Sequence, residues 1–231
     1  MKTALAMKVM IVLTSHAQLG DTGKKTGWYL PEASHPYFAL TQSGYEVDFV
    51  SPVGGKAPLD QNSRDLSDAD NARFLANPLL VKQVENTLKP RDIDPKKYAA
   101  ILFAGGHGTM WDFADNQELA RLAAQIYEQG GVVAAVCHGP AGIVNIKLSN
   151  GEYLVRGKTV ATFTDSEEAE VGLTQVVPFL LETTLRERGA RIQIAPNWSE
   201  NVAVDGRLVT GQNPASAKKL GKEVVRVLQS R

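Results

Sequence analysis

Gly130-Gly131-Val132-Val133-Ala134-Ala135-Val136-Cys137-His138-Gly139-Pro140-Ala141 decides the reading of this chain. The two glycines release the backbone from what precedes them. Val132 to Val136 are small or β-branched and read as a short strand buried on both faces. Cys137, the only cysteine, follows directly, and Pro140 suits the first turn of a helix, where its missing N–H costs nothing. The cysteine is therefore expected on a tight strand-to-helix turn at the end of a sheet, near unpaired helix N–H groups. Those donors and the helix dipole favour a thiolate.

Strand and helix patterns alternate on both sides of this stretch. Residues 8–14, 45–51 and 98–104 read as strands. Residues 30–42 read as a helix, with Pro31 in its first turn and Gly44 as its stop. Residues 71–88 are helical with a division at Pro78, and residues 114–129 form an amphipathic helix. Beyond the cysteine, residues 152–155 and 158–163 are expected as strands joined at Gly157. A helix follows over about residues 177–188, then a strand at 191–195. Asp205-Gly206 is a strong hairpin signal between residues 202–204 and 207–210, and Asn213-Pro214 opens a last helix. This alternation predicts an α/β fold: a mainly parallel sheet, helices on both faces, and a small added hairpin. Ligands in such folds bind at the carboxyl ends of the strands. Three loops reach that edge: the one ahead of Glu32, Gly105-Gly106, and the Cys137 turn.

Of 231 residues, 43% are hydrophobic, enough for one core, and residues 1–231 are expected to form a single domain. Lys+Arg and Asp+Glu number 25 each, so no basic excess points to nucleic acid or an anionic membrane. One cysteine excludes an internal disulfide and a thiolate metal cluster. The N-terminal Met1-Lys2-Thr3-Ala4-Leu5-Ala6-Met7-Lys8 superficially resembles a signal peptide, but Lys8 interrupts its apolar run. No run approaches transmembrane length. A cytoplasmic enzyme or binding protein is expected, and nothing in the spacing of His16, His107 and their acidic neighbours requires a metal or cofactor.

Four segments, with the ending from Asp205 to Ser216, resemble the DJ-1/PfpI superfamily, and within it the small Hsp31-like branch of glutathione-independent glyoxalases (glyoxalase III). They are Lys25-Thr26-Gly27-Trp28-Tyr29-Leu30-Pro31-Glu32, Phe103-Ala104-Gly105-Gly106-His107-Gly108-Thr109, Ala134-Ala135-Val136-Cys137-His138-Gly139-Pro140 and Phe163-Thr164-Asp165-Ser166-Glu167-Glu168. The likeness implies a flavodoxin-like three-layer sandwich and a homodimer. It puts the nucleophile on Cys137, its histidine on His138 and the acid beside the cysteine on Glu32. The acid that orients the histidine falls on Glu168, with Glu167 and Asp165 as competitors. The backbone N–H groups of Gly105 and Gly106 match the oxyanion donors, with His107 beside them. Ala135 stands where the general elbow pattern has glycine. Class I glutamine amidotransferases share the cysteine elbow but need a downstream histidine. Histidines occur here only at 16, 35, 107 and 138, so that triad cannot be built.

The chemistry implied is conversion of a small 2-oxoaldehyde, methylglyoxal, to lactate through a hemithioacetal on Cys137. Proton transfer falls to Glu32 and His138. A stress-response chaperone, a cysteine redox sensor and a Cys-His hydrolase or deglycase fit the same fold and elbow. Taken singly, Glu32, Glu167 and Glu168 are also what a solvated first helical turn favours. Trp28, Trp111 and Trp198 read as packing or interface residues.

Overall fold

The computed structural model describes residues 8–231; most of the leader-like segment lies outside the described residues. The chain runs β1 (Lys8–Val12), α1 (Leu30–Gln42), β2 (Glu46–Val50), α2 (Ala69–Ala76), α3 (Pro78–Glu85), β3 (Tyr98–Phe103), α4 (Thr109–Asp112), α5 (Gln117–Glu128) and β4 (Val132–Val136). It continues through β5 (Thr159–Val160), α6 (Asp165–Glu170), α7 (Leu181–Glu187), β6 (Arg191–Ile192), β7 (Val202–Asp205), β8 (Leu208–Gly211) and α8 (Ala217–Gln229). Six strands form one sheet in the order β2-β1-β3-β4-β8-β7. All its neighbours pair in parallel except β7, which folds back on β8 as the expected hairpin.

The twofold period of the strands divides the core. Val9 and Ile11 of β1 pack in one cluster with Leu40 of α1, Phe74 of α2 and Leu220 and Val224 of α8. Met10 and Val12 face the other way, into a cluster with Leu119, Leu122 and Ile126 of α5 and Leu185 of α7. Burial on both faces is why these strands read as unbroken apolar runs. The sheet order reverses direction between β1 and β3, which opens a crevice at their carboxyl ends. The loops after β3 and β4 meet there.

Several local expectations are corrected. The turn after Cys137 does not open an α-helix; Gly139–Gly142 make one 3₁₀ turn. A Cβ on Gly139 would lie 2.1 Å from the Phe103 carbonyl oxygen, and one on Gly142 would meet the Phe103 ring at 2.5 Å. This close approach packs the turn against β3 and leaves two poor helix formers in four residues. Residues 152–155 form no strand: Tyr153 makes only an isolated bridge to Lys147. The strand expected at 158–163 shrinks to β5, which pairs in parallel with β6. Two of its backbone donors go to side chains instead, Thr159 N–H to Asp205 (2.8 Å) and Ala161 N–H to Thr210 Oγ1 (2.9 Å). The helix expected from 177 starts at Leu181, because Val177 precedes Pro178 and is disfavoured in the helical region.

Candidate active site

Cys137 occupies a left-handed conformation, with φ of 60°. For a residue with a Cβ this costs about 1–3 kcal/mol and needs a surrounding that imposes it. Two backbone hydrogen bonds do so: Cys137 N–H donates to the Gly211 carbonyl (3.0 Å), and Phe163 N–H donates to the Cys137 carbonyl (2.9 Å). The elbow is thus clamped between β8 and the segment that leads to α6.

His138 follows at the floor of the site, 1% exposed. Its Nδ1 lies 3.4 Å from Cys137 Sγ, and its Nε2 lies 2.7 Å from Glu168 Oε2. The other carboxylate oxygen of Glu168 is 2.7 Å from His107 Nε2. Burial works to raise Glu168, but the two imidazoles override it and hold its pKa at about 2. An ionised carboxylate only accepts, so both Nε2 atoms must be the protonated ones. Burial, and then the neighbouring His107 ring, push His138 down to about 4. Its Nδ1 is therefore a free lone pair facing the sulfur at neutral pH.

Glu32 comes from the first turn of α1 and is fully buried. Its Oε2 accepts the Gly105 N–H at 2.7 Å, while Oε1 has no hydrogen-bond partner among the described residues. Burial pushes Glu32 up to about 8, opposed by its contacts with Cys137 and Gly105. The neutral carboxyl carries its proton on Oε1, since Oε2 is already an acceptor. Gly105 has to be glycine here, because a Cβ would lie 2.4 Å from Glu32 Oε2.

Two expectations change. The thiol does not rest as a thiolate: burial raises it well above the ordinary cysteine value, and Glu32 raises it further. The N–H groups of His138 and Gly106 pull the other way, but no long helix starts at the elbow to supply a dipole. Of the two expected oxyanion donors, Gly105 is committed to Glu32, so the donors against the sulfur are Gly106 and His138. Glu167 and Asp165 take other roles. Glu167 caps α6 through Thr164, and Asp165 accepts from Thr183 at 2.5 Å.

The thiol opens into a cavity of about 150 Å³ walled by Tyr29, His107, Phe163, Val171, Trp198 and Pro214. At ~30 Å³ per water this is room for roughly five water molecules. Tyr29 is held as a phenol, pushed up to about 12 by burial and then by Glu32, and so can only donate or accept a hydrogen bond. Tyr29 was not singled out from the sequence, although it adjoins Leu30-Pro31-Glu32. Trp198, read as packing, lines this cavity instead. A larger groove of about 390 Å³ beside His35, Asp70 and Lys218 has none of Cys137, His138 and Glu32 in its walls. His107, His138 and Glu168 bring three donor atoms within 4.8 Å of one another, the spacing of a metal site, but hydrogen bonds already join them.

A doubly wound sheet, a strained cysteine elbow and an imidazole–carboxylate pair define a class: α/β proteins with a cysteine elbow at the carboxyl edge of the sheet. The chain belongs to the DJ-1/PfpI family, whose model matches residues 27–227. It is 34% identical over 233 residues to glyoxalase 3 of Candida albicans, covering 95% of this chain and 97% of that one. The crystal structure of Candida glyoxalase III superposes with a TM-score of 0.90 at 32% identity, over 98% and 99% of the two chains. The glutathione-independent glyoxalase HSP31 of Saccharomyces cerevisiae is 36% identical over 228 residues, 91% of this chain and 93% of its own. The Rapid Encystment Protein 24 kDa of Francisella tularensis has a TM-score of 0.92 at 42% identity, over 96% and 98% of the chains.

Proposed function

We propose that this protein is a glutathione-independent glyoxalase, a lyase-type enzyme that converts methylglyoxal to lactate. The observation that carries the reading is one sulfur bracketed by two proton-transfer groups of opposite state. His138 Nδ1 is an empty acceptor 3.4 Å away, and Glu32 is a protonated carboxyl at neutral pH. The names borne by the Candida and Saccharomyces relatives agree with it.

The thiol proton passes to His138 Nδ1 as Sγ adds to the aldehyde carbon C1. The carbonyl oxygen becomes the hemithioacetal oxygen, met by the N–H groups of Gly106 and His138 and protonated in turn. His138 stays within reach to take the C1 proton while the Glu32 carboxyl gives its proton to the C2 oxygen, making an enediol. Return of the His138 proton to C2, with the C1 hydroxyl proton passing back to the Glu32 carboxylate, leaves a thioester of lactate. Water, activated by the neutral imidazole, then cleaves the C–S bond and restores the thiol. The sum is methylglyoxal plus water to lactate. The enzyme's own cysteine takes the part of an external thiol, and a cavity of about 150 Å³ suits a triose rather than a tripeptide conjugate. The fold's resemblance alone leads us to assign a homodimer and a cytoplasmic location; among the described residues no helix is long and apolar enough to cross a membrane. A redox sensor needs an exposed, low-pKa thiol, and Cys137 is 3% exposed with a raised one.

The test is a reaction in thiol-free buffer, following methylglyoxal and lactate together. Lactate formed mole for mole with aldehyde consumed supports the reading; consumption without lactate contradicts it.

A further inference from the structure

Trp198 is, with Cys137, one of two non-glycine residues at positive φ among the described residues, at 64°. It is the third residue of the turn Pro196–Ser199, closed by Ser199 N–H on the Pro196 carbonyl at 3.1 Å. Glycine or asparagine is the usual occupant of a positive-φ third position. A tryptophan there is held against its backbone preference, and α6 does the holding. Glu167 Oε1 accepts the Trp198 N–H at 2.9 Å, and Glu170 Oε1 accepts the indole N–H at 2.9 Å. Asn197 donates to Glu170 Oε2 (2.7 Å) and to Ser166 Oγ (3.1 Å).

Glu167 is fully buried, and donors alone meet its two oxygens. Oε2 takes the Thr164 N–H and hydroxyl, both at 3.0 Å. Oε1 takes Trp198 with the side-chain amides of Gln212 (3.1 Å) and Asn213 (2.9 Å). Asn213 precedes Pro214, a second wall of the cavity. The indole meets Phe163 edge-on at 5.6 Å, and Phe163 lies 4.2 Å from the His138 ring. The wall and the proton relay thus hang on one six-residue helix, through Glu167 and Glu170 on one side and Glu168 on the other.

We propose that Trp198, set in its strained turn by Glu167, fixes the size limit of the carbonyl compounds that reach Cys137. Short-chain 2-oxoaldehydes pass and aryl-substituted ones are excluded. Trp198 is the specificity-determining residue and Glu167 its positioning residue. The choice of 2-oxoaldehydes rests on the glyoxalase reading; the size limit does not.

Because Cys137 is the only cysteine, alkylation followed by mass spectrometry reads access to this one site. The rates of N-phenylmaleimide and iodoacetamide would be compared on wild type, Trp198→Ala and Glu167→Gln, and the ratio cancels any change in thiol ionisation. Loss of one pocket wall should raise the bulky-to-small ratio by ~10-fold or more in Trp198→Ala. Glu167→Gln sets an amide NH₂ against donors and should raise the ratio less, in the same direction. In turnover, phenylglyoxal should gain on methylglyoxal in the same order, through KM for the larger substrate. An unchanged reagent ratio in folded Trp198→Ala overturns the proposal. So does a Glu167→Gln protein that lowers activity on both aldehydes equally and leaves the ratio alone. Should Glu167→Gln not fold, Trp198→Ala at its 40% exposed rim position decides alone. If wild type consumes neither aldehyde, the glyoxalase reading fails while the reagent ratio still decides the size limit.

Discussion

A thiol buried beside a carboxyl cannot lose its proton independently of it. Burial raises both groups and Glu32 raises Cys137 further, so the pair keeps at least one proton through neutrality. Activity then needs a neutral His138 and a protonated Glu32. kcat/KM should rise as pH passes about 4, where His138 loses its proton, and fall near about 8, where Glu32 does. Glu32→Gln should abolish the alkaline limb and lower the plateau by about 100-fold. A steady-state profile from pH 4 to 9 checks this; an alkaline limb unmoved in the variant would belong to another group. At this scale the sequence was informative about identity and poor about state. Cys137, His138, Glu32 and Glu168 were named once the resemblance was seen, and the fold gathers them at the Cys137 elbow. The charge on the sulfur was not, because it depends on burial by residues far away in the chain. The glycine loop was half legible: which N–H was already taken depends on where Glu32 Oε2 ends up.

Among the elements, α6 carries more than its six residues suggest. Thr164 and Glu167 close a capping box, which the Thr-x-x-Glu spacing announces. Glu168, next along, bridges two imidazoles and fixes which nitrogen of each is protonated. Glu168→Gln keeps the size but lets the amide donate, so His138 can turn the wrong tautomer toward the sulfur. A loss of about 10²- to 10⁴-fold in kcat is expected, with KM little changed. Steady-state kinetics on methylglyoxal tests it, and a loss confined to KM would contradict the tautomer argument. The sequence left Asp165, Glu167 and Glu168 in competition because all three suit a first helical turn. Only the packing of Phe163 and the Trp198 turn separates their directions. The central strands were legible from their apolar runs. The residues after the elbow were not, because the Thr159 and Ala161 N–H groups go to side chains of the β7–β8 hairpin.

Across the whole molecule, the elbow is a packing solution as much as a chemical one. Gly139→Ala would drive a Cβ into the Phe103 carbonyl of β3. A loss of about 1–3 kcal/mol or more is expected, at roughly 2–4 °C of Tm per kcal/mol for a chain of this size. Calorimetry would show it, and an unchanged Tm would mean that β3 and the elbow yield freely. The site should also write itself into stability against pH. The Glu32 contribution is complete below its unfolded value of 4.5 and is lost as pH rises through about 8. The His138 contribution runs oppositely, complete above 6.5 and lost as pH falls through about 4. Between about 6.5 and 8 the Glu32 slope is unopposed, so Tm should fall there in the wild type and stay level in Glu32→Gln. All of this presumes that the molecule is built around covalent chemistry at one sulfur. The most direct measurement is lactate production from methylglyoxal by wild type and Cys137→Ala, without glutathione. The wild type should turn over repeatedly and the variant should form no lactate above the uncatalysed rate. Sustained turnover by Cys137→Ala would contradict a thiol adduct and the assignments built on it.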